Sequence, residues 1–242
     1  MSVPTGFDDV SVVMISRDEE AAIADVLEGI REHLPGAEVL LVDSSSDRTP
    51  EIAEEHGARV IRQFPPRGYG PAMERALLEP EREIIVTMDC DDTYPPDRLP
   101  ELVERVRAGV DLMGTSRLDG GRPAAMPVPN YYANRAFNLL ASAVFMRRIR
   151  DVHSGMRAYR RTMLHAIRWR ADAPALPVEL LLKPIRLGYR VEEISIHYAE
   201  RLGETTLDRL ASTVWTVKRI ARSRFGSTAD FRVAPGGPAA QG

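Results

Sequence analysis

The chain has 242 residues, of which 44% are hydrophobic and 28% charged, an ordinary globular composition that can bury a sizeable core. Its net charge of −3 argues against a general nucleic-acid-binding protein, which would carry a basic excess. The single cysteine, Cys90, excludes a disulfide within the chain and is typical of a reducing compartment. We see neither a signal peptide nor an apolar run near the roughly 20 residues of a membrane-spanning helix, so we expect a cytoplasmic protein without an anchor of its own.

The first half of the chain alternates short apolar runs with helical patterns. We predict strands at 10–15, 38–42, 58–61, 83–88 and 110–113, and helices at 18–33, 49–56, 72–78 and 95–108. Such βαβ units build an α/β fold, a Rossmann-like and mainly parallel sheet with helices on both faces. Ligands of these sheets bind beyond the carboxyl ends of the strands, so side chains that follow strands are the candidates for a site.

The second half has a different pattern. We predict a loop at 114–129, helices at 131–146 and 176–187, and a strand at 189–197. No linker separates the two halves, which predicts a single domain over 1–226. The tail at 227–242 is rich in Gly, Pro and Ala and is predicted to be disordered.

The most specific polar motif is Asp89-Cys90-Asp91-Asp92, at the end of the fourth predicted strand. Residues two apart on a strand point to the same side, so Asp89 and Asp91 can share one ligand. Carboxylate oxygens suit Mg²⁺ or Mn²⁺, which usually keep bound phosphates or waters. An acidic turn that caps the helix after Pro95 is the alternative, and the position after a strand favours a metal.

Other polar groups follow the first three strands. Asp43 can accept hydrogen bonds from a ribose or a base, or it can belong to a Ser/Asp turn that satisfies its own backbone donors. Within Ser16–Glu19, Asp18 can cap the first helix and Glu19 can favour its positive end, or the segment can contact a nucleotide. Gly68 precedes a helix and would let a phosphate or ribose approach the backbone, although a turn with positive φ explains it equally.

A dense arginine block surrounds Asp151 in the second half, running from Arg147 to Arg161. A solvated basic face is the usual explanation for such a block. Asp151 and Arg157 are nevertheless candidates for a site where an anionic acceptor or diphosphate meets a base, whereas His153 fits a structural role. Glu179 and Arg201 would not stand out from ordinary surface residues by themselves.

Taken together, these segments resemble glycosyltransferase family 2, in particular the dolichol-phosphate mannose synthases and bacterial polyprenyl-phosphate glycosyltransferases. The resemblance covers about 10–209. It is carried by the order and spacing of SVVMISRDEE, LLVDSSSDRTPEIAEEHGARVI, RGYGPAMERAL, IIVTMDCDDTYPP, GTSR, NRAFNLL, DVHSGMRAYRR, VELLLKPIRLGYRVEEI and RLGETTL.

The resemblance implies a GT-A fold, with a nucleotide-sugar half at about 8–117 and an acceptor half at about 118–226. It also implies metal-dependent, inverting transfer from a GDP- or UDP-sugar with Mg²⁺ or Mn²⁺, and no nucleic-acid partner. Together with the residue patterns it gives these candidates: for the nucleotide-sugar, Ser16, Arg17, Asp18, Glu19, Asp43, Gly68 and Asp89; for the metal, Asp89 and Asp91; for phosphates or the acceptor, Arg117, Arg157, Glu179 and Arg201; and for catalysis, Asp151.

Several positions depart from the family pattern. Ile15 replaces the usual proline after the first strand, and the loop after Asp43 is one residue shorter and lacks its glycine. Thr205-Thr206-Leu207 replaces the usual Ser-Lys-Leu, so a phosphate-binding lysine is missing. Two acceptors therefore stay open, a polyprenyl phosphate and a soluble hydroxyl compound. Asp151 would act as general base toward the hydroxyl and would only position the phosphate.

The sequence also leaves two other protein classes open and contains one segment that fits contact with a membrane. A non-catalytic nucleotide-sugar-binding module would share the fold, and a sugar nucleotidyltransferase would need a glycine-rich loop that is missing after the first strand. The segment 215–225 mixes basic and apolar residues at helical spacing. This pattern is compatible with peripheral contact at the inner face of a membrane, or with a helix docked on the domain.

Overall fold

A seven-stranded sheet runs through the centre of the computed structural model, which describes residues 6–171, 176–199, 209–233 and 240–241. Its strands are β1 (Val10–Ser16), β2 (Glu38–Asp43), β3 (Arg59–Arg62), β4 (Ile84–Thr87), β5 (Leu112–Ser116), β6 (Arg157–Arg160) and β8 (Val191–Ser195). The order across the sheet is β3-β2-β1-β4-β6-β5-β8. All neighbours are parallel except β6, which is antiparallel to β4 and to β5. The predicted mainly parallel sheet is confirmed.

Eight helices are described: α1 (Ile23–His33), α2 (Thr49–Glu55), α3 (Tyr69–Leu78), α4 (Leu99–Arg107), α5 (Val128–Phe145), α6 (Arg161–Ala166), α7 (Leu176–Leu187) and α8 (Arg209–Phe225). A 3-10 turn at Pro96–Arg98 leads into α4. Two short strands, β7 (Trp169–Arg170) and β9 (Ala240–Gln241), pair in parallel outside the main sheet. Within the described ranges, no helix is both long and apolar enough to cross a bilayer.

Helices cover both faces of the sheet because side chains on a strand alternate between its two sides. Val13 and Ile85 pack on one side in a cluster with α3 and α7. Val12 and Val86 pack on the other side with α1 and α4. The core therefore has two layers, and the polar residues that follow the strands remain at the carboxyl edge.

The antiparallel strand β6 decides which residues meet at that edge. Because β6 runs against β4 and β5, its amino end lies beside their carboxyl ends. The segment that precedes β6, residues 151–155, is thereby brought next to Asp89, which follows β4, and Arg117, which follows β5. One reversed strand thus joins the two halves of the chain at a single site.

Some predicted boundaries are wrong. Helix α1 begins at Ile23 and not at Asp18, because the amides of Asp18 and Glu19 bond to side chains of the β2–α2 loop. Residues 114–116, predicted as loop, extend β5 and pair with β8. Strand β6 and helix α6 were not predicted at all, since their arginine-rich sequence is typical of a surface.

The predicted disorder of the tail is wrong for residues 227–233. Phe231 is buried there, and Arg232 forms a bridge with Ile167. The backbone amide of Arg168 also donates to the carbonyl of Phe231, at 2.8 Å. This apolar side chain anchors the segment on the domain despite its small and polar neighbours.

Candidate active site

The carboxylate of Asp43, at the end of β2, bonds to residues at the ends of β1 and β3. Its oxygens accept hydrogen bonds from the hydroxyls of Ser16, at 2.6 Å, and Ser45, at 2.5 Å, and from the guanidinium of Arg62. The side chain is completely buried. These contacts favour the polar turn that satisfies its own donors, and they do not support direct contact between Asp43 and a nucleoside.

The loops after β1 and β2 are bonded to each other. The amide of Asp18 donates to the Ser45 hydroxyl at 2.8 Å, and the Asp18 carboxylate accepts from the amide of Ser46 at 2.7 Å. The bond from Ser46 lowers the pKa of Asp18 below its usual range. Asp18 has a positive φ of 58° and lies before the first helix, whose N-cap is Ala22, so the alternative in which Asp18 caps this helix does not hold. Arg17 beside it is exposed.

Asp89 and Asp91 lie in the turn that follows β4. Asp89 is exposed, whereas Asp91 is buried and accepts a bond from the Thr93 hydroxyl at 2.6 Å. Between them Cys90 points inward, with its sulfur 3.3 Å from the Ile15 carbonyl oxygen. Asp89 and Asp91 therefore differ in exposure, although both follow the end of the same strand.

The donor set of this turn fits a divalent cation. Both Asp89 oxygens lie 3.0 Å from the point where a Cβ on Gly155 would stand, so the glycine lets the carboxylate approach the backbone closely. In the part of the chain that the structure describes, no group of three or more His, Cys, Asp or Glu residues forms a metal cage. Two carboxylates, with phosphates or waters in the other positions, match the preference of Mg²⁺ and Mn²⁺.

Gly155 is fixed on both sides of its peptide unit. Its amide donates to the Tyr94 hydroxyl at 2.7 Å, and its carbonyl accepts from the Thr87 hydroxyl at 2.6 Å. The partners of Gly155 lie more than sixty residues away in the chain. No local signal in the sequence could have revealed them.

Arg117 and Asp151 form a bidentate ion pair. The Asp151 carboxylate accepts from Arg117 Nε at 2.7 Å and from Nη2 at 3.1 Å, and it also accepts from the amides of Arg117 and His153. The Arg117 guanidinium lies 5.3 Å from the ring centre of Tyr198, which packs edge-on against Tyr94. Two residues that were separate candidates are thus paired with each other, and the two tyrosines were not among the predicted residues.

The environment of Asp151 is unsuited to proton abstraction. Burial acts to raise the pKa of Asp151, but the adjacent Arg117 guanidinium outweighs burial, and the pKa lies below its usual range. All four described bonds hold the ionised form. A carboxylate held in this way is a weak base and a good anchor. The structure therefore favours Asp151 as the group that orients Arg117.

Two residues predicted to contact a phosphate or the acceptor are buried and have partners within the chain. Arg157 is buried in β6, where its guanidinium donates to the backbone carbonyls of Val152 and Pro177. Glu179 is buried in α7, where it pairs with Lys183 and with Arg219 of α8. These contacts join segments of the fold and favour a structural role for both side chains.

Three of the residues considered in the sequence remain to be placed: Gly68, His153 and Arg201. Gly68 has a positive φ of 99° immediately before α3, and a Cβ there would meet nothing within 4 Å, so its backbone is open to a ligand. His153 is half-buried between Phe137 and Thr216, and desolvation lowers its pKa to about 4, which fits a structural role. Arg201 lies outside the described residues.

Comparison with known proteins identifies the family of this chain. The family model of glycosyl transferase family 2 matches residues 11–168. A dolichyl-phosphate hexose transferase from Haloferax volcanii is 46% identical over 89% of this chain and 94% of its own length. An undecaprenyl-phosphate mannosyltransferase from Micrococcus luteus is 28% identical over 82% of this chain and 87% of its own length.

Solved structures share the architecture. Glucosyl-3-phosphoglycerate synthase from Mycobacterium tuberculosis, in complex with phosphoglyceric acid, superposes with a TM-score of 0.70 at 25% identity, over 89% of this chain and 79% of that chain. A complex of the same enzyme with Mn²⁺, UDP and glucosyl-3-phosphoglycerate gives a TM-score of 0.71 at 23% identity, over 89% and 79% of the two chains. The chain belongs to glycosyltransferase family 2 and is a glycosyltransferase with the GT-A fold.

Proposed function

We propose that this enzyme transfers a hexose from a nucleoside diphosphate hexose to the phosphate of a polyprenyl phosphate, with inversion at the anomeric carbon. The observation that carries the proposal is the Arg117–Asp151 pair beside the Asp89–Asp91 turn. The Tyr94 hydroxyl accepts from the amide of Gly155, which lies against Asp89, and the Tyr94 ring packs on Tyr198 next to Arg117, so the two parts are adjacent. The 46% identity to a relative named as a dolichyl-phosphate hexose transferase supports the acceptor class.

The donor would bind over the turn after β4. Asp89 and Asp91 would hold Mg²⁺ or Mn²⁺, which supplies Lewis-acid stabilisation of the leaving diphosphate when bound. The open backbone of Gly68 at the start of α3 offers a second contact for a donor phosphate or ribose. UDP in the solved complex of the glucosyl-3-phosphoglycerate synthase favours a UDP-hexose over a GDP-hexose.

The acceptor phosphate would bind at Arg117. Asp151 engages Nε and Nη2 of this guanidinium, and within the described ranges no group accepts a hydrogen bond from Nη1. A phosphate is already ionised at neutral pH, so its oxygen can attack the anomeric carbon without a general base. Asp151 would fix the direction of Arg117, which fits its lowered pKa.

A membrane-borne acceptor would place this enzyme at the inner face of a membrane, in contact with the cytoplasm. A soluble phosphorylated acceptor is the competing substrate class, because one solved relative binds phosphoglyceric acid. Arg117 would suit either phosphate. The relatives named for dolichyl and undecaprenyl phosphate cover more than four fifths of this chain and favour the lipid.

A transfer assay tests this proposal. UDP- and GDP-hexoses are supplied with Mn²⁺ or Mg²⁺ and a polyprenyl phosphate in detergent micelles, and both the glycolipid and the released nucleoside diphosphate are measured. We expect one donor to give glycolipid, and Asp89→Asn to lower the rate at least about 100-fold. Asp92→Asn is the matched control because Asp92 has a positive φ of 56°, which asparagine also tolerates.

The product decides between acceptors. Glycolipid formation that depends on Asp89 supports the proposal. Donor turnover with phosphoglyceric acid or glycerol phosphate but never with the lipid would replace the lipid acceptor by a soluble one. Equal activity of wild type and Asp89→Asn would remove the metal role of that residue.

A further inference from the structure

Most of the large apolar side chains that are exposed in the described ranges lie on helices α5 and α8 or directly after α5. The two helices pack against each other, and Arg224 Nε of α8 donates to the Val144 carbonyl of α5 at 3.0 Å. Nine of the eleven exposed large hydrophobic residues in the described ranges lie on these helices or directly after α5. We call them the α5–α8 face: Val128, Tyr132, Leu139, Leu140, Met146, Val214, Trp215, Val217 and Phe225.

This face is far more exposed than scattered surface residues would require. Met146 is 88% exposed, Phe225 75% and Leu139 72%. On α5 the exposed residues recur at helical spacing along one side, while Asn138 and Ala141 on the other side are buried. An apolar stripe of this length on a folded domain marks a contact surface.

The charge of the two helices differs from that of the remaining chain. Residues 120–150 and 209–229 contain ten Arg and Lys residues and no Asp or Glu. All 35 acidic residues of the protein lie elsewhere, with only the other 22 basic ones. Basic side chains therefore surround the apolar face, and those that the structure describes as exposed are Arg122, Arg135, Arg147, Arg148, Lys218 and Arg222.

The α5–α8 face also borders the acceptor side of the site. On α5, Asn138 accepts a hydrogen bond from the amide of Val152 at 3.0 Å. On α8, the Thr216 hydroxyl lies 2.9 Å from Nε2 of His153. Both helices thus hold the segment that begins with Asp151, the partner of Arg117.

We propose that the α5–α8 face lies on an anionic lipid bilayer and turns Arg117 toward a phosphate carried by that bilayer. Apolar and aromatic side chains enter the boundary between headgroups and acyl chains, and the surrounding cations bind the anionic headgroups. A second copy of the chain is a poor occupant, because a symmetric contact would place the same basic residues against each other. The acceptor part of this inference rests on the proposed function, whereas the docking part does not.

Tryptophan fluorescence measures the docking directly. Of the two tryptophans, Trp169 is completely buried and Trp215 belongs to the α5–α8 face. Vesicles of phosphatidylcholine with phosphatidylglycerol should shift the Trp215 emission to shorter wavelength, and brominated lipid should quench it. Vesicles of phosphatidylcholine alone, or added salt, should weaken binding. The variant Trp215→Phe should remove the signal, which assigns it.

Paired variants separate the face from the general surface. Leu139→Ser combined with Met146→Ser should weaken vesicle binding at least about tenfold, because both side chains leave the lipid. The matched control is Phe64→Ser, which removes an equally exposed apolar side chain outside the two helices. Equal binding by the double variant, or no binding of wild type to anionic vesicles, would overturn the proposal. The proposal would also be overturned if ultracentrifugation shows that wild type is a dimer and that the double variant is a monomer.

Two acceptors distinguish this proposal from the proposed function. With a short, water-soluble prenyl phosphate, the double variant should transfer sugar as well as wild type. With a long-chain acceptor in anionic vesicles, its rate should fall with its binding. An enzyme that binds vesicles but glycosylates neither acceptor would refute the proposed function and leave the docking face supported. An enzyme that glycosylates both without vesicle binding would refute the docking face alone.

Discussion

At the scale of single residues, position 155 is too tight for a methyl group unless a neighbour shifts. A Cβ there would lie 3.0 Å from both carboxylate oxygens of Asp89, which is tighter than nine in ten real Cβ contacts. The backbone of Gly155 is held in place, because Tyr94 and Thr87 bond its amide and carbonyl. We therefore expect a side chain at this position to displace the Asp89 carboxylate by a few tenths of an ångström.

We expect Gly155→Ala to weaken binding of Mn²⁺ with UDP about 10- to 100-fold, the loss typical of disturbed support around a metal ligand. Calorimetric titration measures the affinity. Gly120→Ala is the control, because a Cβ at Gly120 meets nothing within 4 Å. An alanine variant that folds and binds both ligands as wild type does would show that Asp89 is not held by this contact.

Asp151 should act through Arg117. If it only orients the guanidinium, Asp151→Asn should slow transfer strongly in the wild-type background and hardly at all in the Arg117→Gln background. A general base would instead cost a similar factor in both backgrounds. The measurement is a double-mutant cycle of transfer rates, with donor affinity determined for each variant. Affinity for the donor should stay unchanged, since the pair lies on the acceptor side.

The sequence predicted which residues reach the carboxyl edge better than it predicted what they touch. Asp89, Asp91 and Arg117 were candidates because each follows a strand, and Asp151 was a separate candidate, but its ion pair with Arg117 was not predicted. Arg157 and Glu179 were assigned to ligands, yet each binds groups of its own chain. The direction of a long charged side chain depends on distant partners, and these are known only after folding.

At the scale of elements, the strongly periodic segments were predictable. Helix α7 has the bounds predicted from its apolar spacing, at Leu176–Leu187. Strand β6 was missed because four residues with an arginine at each end carry no clear period. Its backbone alignment with β4 and β5 is a long-range property of the sheet. Strand β6, which was not predicted, is also the strand that brings the site residues together.

Glu179 is predicted to stabilise the contact between α7 and α8. It is buried between Lys183 and Arg219, so Glu179→Gln would leave two buried cations without their counter-charge. We expect a loss of about 3–5 kcal/mol in the free energy of unfolding, measured by denaturant titration. Glu101→Gln is the control, because its pair with Arg98 is partly exposed and should cost less than about 1 kcal/mol. An acceptor role would instead show as lost transfer with unchanged stability.

At the scale of the whole molecule, the sheet makes the two halves of the chain inseparable. Strand β6 comes from the acceptor half and lies between β4 and β5 of the donor half. The core on each face of the sheet contains residues of both halves. The prediction of a single domain rested on the absence of a linker, and this interleaving gives a physical reason to expect one cooperative unit.

Cooperativity of this kind has a measurable consequence. At 100 times the Kd, a ligand adds about 2.7 kcal/mol to the free energy of unfolding, which for a chain of this size raises Tm by about 5–10 °C. Mn²⁺ with UDP should therefore shift the transition, and EDTA or Asp89→Asn should remove the shift while Asp92→Asn keeps it.

Comparing two spectroscopic probes tests whether ligand binding in the donor half also stabilises the acceptor half. Both tryptophans lie in that half, whereas the cation would bind in the donor half. In one cooperative unit, fluorescence and far-UV circular dichroism must move together when Mn²⁺ and UDP bind the other half. A tryptophan transition that stays in place while the circular dichroism shifts would mean that β6 does not couple the halves. The two halves would then unfold independently, and the site would form only when both are folded.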